Sequence, residues 1–370
     1  MIYLDNGATS FHKPVSVKRA VLDAMEHCAN PGRGGYAAAM EAARRVYRCR
    51  ELAGELFACQ PEQVLFTANC THGLNIAIRT LVKPGSRVVI SGFEHNAVTR
   101  PLHGLGAKVQ VAGRKLFDPD DTLTAFEKAL RSGAEAAVFT HVSNVFGYIL
   151  PVEELSFLCK KNGVPFIIDA AQSAGTQEVN MQRLGADFIA MPGHKGLLGP
   201  QGTGLLLCGR SIEPLIFGGT GNLSIQQDMP ADLPERGEAG TVNVPGICGL
   251  RAGLEYLLQV GIQNIGRREA QQAKRCAAGL KKLGFTVFAG EHQGGTVSFV
   301  PEEDCEEAAE RLAKMGIAVR SGLHCAPLAH ESAGTLETGT IRVSFGHDAA
   351  PWQTEKLLRA AEKLKGNPKK

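Results

Sequence analysis

Short apolar runs alternate with longer amphipathic stretches along the first two thirds of this chain. The runs at 64–67, 88–91, 108–112, 136–140, 166–168, 187–191 and 204–208 have strand length and strand composition. Between them, 14–27, 37–57, 74–81 and 151–162 read as helices. The first of these carries an apolar stripe at Val17, Val21, Leu22 and Met25. Strands alternating with helices predict an α/β fold, a mainly parallel sheet with helices on both faces.

The pattern changes near residue 214. A stretch rich in glycine, proline and acids runs to 245, and a loop of that length is either functional or a disordered linker. Helical composition follows from 244 to about 283. Strands at 285–289 and 296–300, a helix at 302–315, strands at 317–320 and 340–344 and a helix at 352–364 predict a smaller α+β domain. The tail 366–370 is expected to fray.

With 370 residues the chain is long for a single core, which fits two domains. Hydrophobic content of 44%, charge of 21% and a formal charge of +3 describe a globular protein, not a nucleic-acid binder. No apolar run reaches membrane-spanning length, and the first residues lack signal-peptide character, so the expected location is cytoplasmic. The ten cysteines form no CxxC pair, so no metal site is expected and most should be buried free thiols.

Candidate chemistry centres on 165–204. One apolar run ends on Asp169, with Gln172 three residues on. The next ends in Pro192-Gly193-His194-Lys195, among glycines at 193, 196, 199, 202 and 204. An acid and a lysine thus reach what reads as one end of one sheet, where α/β folds bind ligands. Pyridoxal 5'-phosphate (PLP) needs such a pair: a lysine amine to bond its aldehyde and a carboxylate against its pyridinium nitrogen. Gln172 could hydrogen-bond the ring's phenolic oxygen. Thr71 sits where the run at 64–67 turns into a helix, which makes an anion cup for phosphate or a plain helix N-cap.

The D-x-x-Q of Asp169 and Gln172, followed by G-H-K-x-x-x-G-P-x-G-x-G from Gly193 to Gly204, resembles the class V aminotransferase group of fold-type I PLP enzymes. The likeness is greatest to cysteine desulfurases and selenocysteine lyases, and runs from Leu4-Asp5-Asn6 to Arg342. It implies a large PLP-binding domain over 14–245. A small domain made of 1–13 and 246–370 would carry a catalytic cysteine loop.

The resemblance also implies roles. Lys195, Cys325 and His95 are catalytic, with His95 stacked on the pyridine face. Thr71 and His194 bind phosphate, and Asn144, within His141-Val142-Ser143-Asn144, contacts the cofactor ring and the substrate carboxylate. Thr241, in Glu238-Ala239-Gly240-Thr241, reaches the phosphate of the partner subunit in a homodimer. Arg342 grips the carboxylate. Arg320-Ser321-Gly322-Leu323-His324-Cys325-Ala326 matches the group II desulfurases, with Cys325 taking sulfur from L-cysteine, or selenium chemistry from L-selenocysteine, for a protein acceptor. Arg320 and His324 are expected to favour its thiolate, and 326–339 to form a mobile lid. Two departures stand out: Pro192 replaces the family's phosphate-binding serine, and Tyr36 replaces a histidine in the loop 30–36. Other readings are an aminotransferase or related lyase with no use for Cys325, a non-catalytic scaffold, and a metal or redox protein.

Overall fold

The computed structural model describes residues 1–32, 34–221 and 223–365; Arg33 of the glycine-rich loop and the tail expected to fray lie outside the described residues.

Seven strands form the main sheet: β2 (Val64–Thr67), β3 (Arg87–Ser91), β4 (Lys108–Ala112), β5 (Ala136–Thr140), β6 (Phe166–Asp169), β7 (Phe188–Pro192) and β8 (Gly204–Cys208). Their spatial order is β2-β8-β7-β6-β5-β3-β4, with every pairing parallel except those of β8. Alternate residues of each strand enter opposite cores. Val89, Phe139, Ile168, Ile189 and Leu205 pack on one face. Val88, Val138, Ile167, Phe188 and Leu206 pack on the other. Both faces are covered, so the strands read as unbroken apolar runs. β4 closes one edge, and its exposed Lys108 and Gln110 make that edge a poor template for further pairing.

The second body has its own core. β12 (Arg320–Gly322), β13 (Thr340–Ser344), β10 (Thr296–Val300) and β9 (Thr286–Phe288) form an antiparallel sheet in that order. The chain's start joins it: β1 (Ile2–Tyr3) pairs in parallel with β11 (Ile317–Ala318), and Ile2 and Leu4 are buried with Val297, Phe299, Ile341 and Val343.

Some expectations change. The helix Val15–His27 buries Val17 and Ala24, while Leu22 and Met25 are exposed. The true stripe lies one step round the helix, with Val21 facing Gly249. The helical region after 244 is two helices, Val244–Val260 and Ile262–Lys282, broken at Gly261, where φ is +84°. The first packs Ile247, Leu250, Leu254 and Leu257 into the core of the large body. The interval 326–339 holds the helix Pro327–Ala333, which buries His330 completely, and His330 Nδ1 lies 2.8 Å from Thr335 Oγ1. Among the described residues no helix is long and apolar enough to cross a membrane.

Candidate active site

Each parallel strand ends at the same edge of the sheet, and the residue types that carry chemistry follow those ends. β2 leads to Thr71, β3 to His95, β5 to Asn144, β6 ends on Asp169 and continues to Gln172, and β7 leads to His194 and Lys195. These seven residues line one cleft.

Asp169 and Lys195 form its floor. Asp169 is 2% exposed; its Oδ1 accepts from Ala171 N at 2.9 Å and from Cys70 Sγ at 3.4 Å. Its other oxygen has no partner among the described residues. Burial pushes the Asp169 carboxyl above its usual range, and pulls the Lys195 amine below its own, with Arg342 adding to the second effect. Lys195 Nζ makes no hydrogen bond or ion pair with the described residues. Gly193 lets this loop form, since a Cβ there would lie 2.1 Å from Thr203 Oγ1.

The walls are preset by local bonds. Helix Cys70–Leu81 is capped by Asn69, whose side chain accepts from His72 N at 2.9 Å. Thr71 is therefore not the cap but the second helical residue, beside backbone N–H groups that suit an anion. His95 caps the helix Asn96–Gly104: its Nδ1 accepts from Ala97 N at 3.0 Å, and burial lowers its pKa to about 4, so the ring is neutral. His194 Nδ1 lies 3.0 Å from Thr9 Oγ1, and burial holds this ring neutral too, with a pKa of about 4. Gln172 Nε2 donates to Gly7 O at 2.9 Å, tying the N-terminal segment to the cleft.

Two arginines approach from the small sheet. Arg320 and Arg342 lie directly opposite on β12 and β13. Facing like charges is unfavourable unless anions intervene. Arg342 is 1% exposed; Nη2 donates to Asp5 Oδ1 at 2.6 Å and Nη1 to Asn144 O at 3.1 Å, while Nε has no partner. Arg320 Nη2 stands 3.8 Å from Cys325 Sγ. Cys325 is exposed, whereas eight of the other cysteines are buried and Cys28 is half-buried.

His324 does not help that thiol as expected. Its ring is 3% exposed and turned to Thr340, with Nε2 3.1 Å from Oγ1; burial brings its pKa down to about 2. A neutral imidazole lends no positive charge, so of the two only Arg320 sets a cation beside the sulfur. Thr241 lies away from the Lys195 cleft of its own chain, in a depression with Thr67, Ala68 and His72. Its segment is no loose linker: Glu238 accepts from Phe66 N at 2.6 Å and pairs with buried Arg50 at 2.5 Å.

Sequence reasoning missed Cys70 against Asp169 and Asp5 against Arg342. Cys70 directly precedes Thr71 in the cup, which was a usable signal; nothing local marks the Asp5 pairing, which spans the chain.

The residues fit PLP. A buried carboxylate with a free oxygen suits a pyridinium N–H, a buried unpaired lysine suits an aldehyde, and a helix N-terminus with Thr71 suits a phosphate. Fold and site thus define an α/β protein of PLP-enzyme type. The class-V aminotransferase family matches residues 2–357, and the chain belongs to that family. It is 32% identical to a probable cysteine desulfurase of Methanothermobacter thermautotrophicus, over 99% of this chain and 95% of the relative. It is 33% identical to another from Pyrococcus abyssi, over 98% and 94%. The apo structure of a cysteine desulfurase from Thermococcus onnurineus NA1 superposes with a TM-score of 0.92 at 34% identity, covering 99% of this chain and 95% of that one.

Proposed function

We propose that this protein is a PLP-dependent cysteine desulfurase that converts L-cysteine to L-alanine and keeps the sulfur as a persulfide on Cys325. The observation that carries this reading is the exposed Cys325 thiol beside Arg320, next to a cleft floored by buried Lys195 and Asp169. An ordinary aminotransferase has no use for that thiol.

Bound here, PLP would supply an electron sink that acidifies the substrate Cα–H and loosens the Cβ–S bond. Lys195 would hold the cofactor and then carry the proton from Cα, a task helped by an amine pKa depressed through burial. Asp169 would face the pyridinium nitrogen, and that cation would draw its carboxyl back to the ionised form. Thr71 and His194 would bind phosphate, with Thr241 of a second subunit. Pro192 offers no hydroxyl, so the backbone N–H groups beside Thr71 carry more of that load. His95, neutral and fixed by its helix, would cover the ring face. Gln172 keeps a second amide hydrogen for the phenolic oxygen. Arg342 and Asn144 would orient the substrate carboxylate.

The Cys325 thiolate would then form an S–S bond to the substrate sulfur. The Cβ–S bond breaks, its electron pair stays on Cβ, and a proton completes alanine. Cys325 sulfur is oxidised to the persulfide level and carbon is reduced, so no outside oxidant is needed. An exposed Cys325 can pass that sulfur to a protein acceptor.

Exposed Ile216, Phe217 and Ile225 in the stretch before Thr241, with exposed Leu22, Met25 and Met40, support a homodimer. Ten free cysteines fit the reducing cytoplasm. The domain division proposed is 14–245 for the large domain and 1–13 with 246–370 for the small one, with helix Val244–Val260 packed on the large core. Product analysis tests the function: L-cysteine with a reductant should give alanine and sulfide in equal amounts, and L-selenocysteine alanine and selenide. Pyruvate, or alanine without sulfide, would sink the reading.

A further inference from the structure

Cys325 sits in backbone that L-residues seldom adopt. φ is +49° at His324 and +57° at Cys325, so two consecutive non-glycine residues are left-handed. Such a conformation persists only where its surroundings over-determine it. Here both carbonyls of the pair are caught by the large body. Asn144 Nδ2 donates to His324 O at 2.8 Å, and Asn96 N donates to Cys325 O at 2.8 Å. Asn144 is 8% exposed, so water does not readily replace its bond. The donors assigned above to the substrate carboxylate are therefore partly engaged within the chain: Asn144 Nδ2 gives one of its two hydrogens to the His324 carbonyl, and Arg342 Nη2 gives one to the Asp5 carboxylate at 2.6 Å.

We propose that Asn144 is a latch that couples arrival of the amino-acid carboxylate to release of the Cys325 loop. The proposal rests on the reading of Asn144 and Arg342 as carboxylate ligands. Asn144 has a second amide hydrogen, so release requires the amide to rotate as it takes up a substrate carboxylate; that rotation withdraws the hydrogen from the His324 carbonyl. The left-handed pair then has one restraint instead of two. His324 relaxes, and Cys325 pivots about the remaining bond from Asn96. The thiol is thus held in place while the cleft lacks substrate, and is freed to move only when a substrate sulfur is there to attack.

The test is backbone hydrogen exchange of the PLP-loaded, full-length enzyme across 320–330, with and without L-alanine, a carboxylate ligand that carries no sulfur. Binding of L-alanine is followed independently through the cofactor's absorption. Alanine should speed exchange in this segment roughly three- to tenfold, the worth of one hydrogen bond. Asn144→Ala should show the fast rate with no ligand present. If alanine alters the cofactor spectrum but exchange stays the same or slows, the latch is wrong while the carboxylate site stands. If saturating alanine leaves the spectrum unchanged, the carboxylate reading itself fails. An Asn144→Ala enzyme that exchanges as slowly as wild type also overturns the latch.

Discussion

Arg342 Nη2 lies 2.6 Å from Asp5 Oδ1, a pair that joins the first residues of the chain to the last strand of the small sheet. The guanidinium is buried, and its Nε is left without a partner. A planar fork offers several donors at once, and a lysine offers a point charge, so Arg342→Lys is not conservative here. We expect it to raise KM for cysteine roughly 10- to 100-fold, the worth of about 1.5–3 kcal/mol for a charge-assisted hydrogen bond. The cofactor spectrum should not move. Steady-state kinetics check this, and an unchanged KM would remove Arg342 from the site.

Lys195 should carry the cofactor. The purified protein should be yellow, and borohydride followed by peptide mapping should leave the pyridoxyl label on Lys195. A label on another lysine, or a colourless protein that PLP cannot reconstitute, contradicts the assignment.

Glu238 anchors the segment that ends in Thr241, through Arg50 and Phe66 N. Removing one partner of a buried ion pair costs about 3–5 kcal/mol. Arg50→Ala should therefore lower Tm clearly, and Thr241→Ala should leave Tm nearly unchanged while speeding PLP loss on dialysis. An active monomer by sedimentation would contradict the shared site.

Glu269 is a buried carboxyl in a second pocket that shares Gln172 and Lys195 with the cleft, and burial, with Asp348 nearby, raises its pKa to about 8. The folded state holds this proton more tightly than the unfolded chain. Its contribution is therefore fully present below the unfolded value near 4.5 and is lost as pH rises towards 8. Glu269→Gln should flatten that decline, by roughly 1–4 kcal/mol between the two limits. Thermal melts at pH 5 and pH 8 decide it: equal losses of Tm in both proteins would show that Glu269 does not titrate as described.

Much of the fold was legible in sequence because β5 to β8 are buried on both faces, so their apolar runs stand out without any knowledge of neighbours. That Asp169, Thr71, His95, Asn144 and Lys195 meet in one cleft was legible for a related reason: each ends or follows a strand at its carboxyl end. Helix faces were less so. Leu22 and Met25 look like core by spacing, yet the helix's actual partner is Gly249, over two hundred residues on, which admits Val21 instead. The chemistry around Cys325 was half legible. Adjacency in sequence placed both Arg320 and His324 near the thiol, but strand register brings Arg320 to it, while left-handed backbone turns the His324 ring down to Thr340.

The central claim is that Cys325 takes the sulfur. The most direct measurement is alanine formed per minute from L-cysteine by wild type and by Cys325→Ala, with mass mapping of sulfur-loaded wild type. The account predicts that the variant binds PLP and cysteine, as judged by its absorption, yet makes alanine from cysteine at most at a trace rate. It also predicts that the added sulfur maps to the peptide holding Cys325. A variant that desulfurates cysteine at the wild-type rate, or extra sulfur mapped to another cysteine, would contradict it.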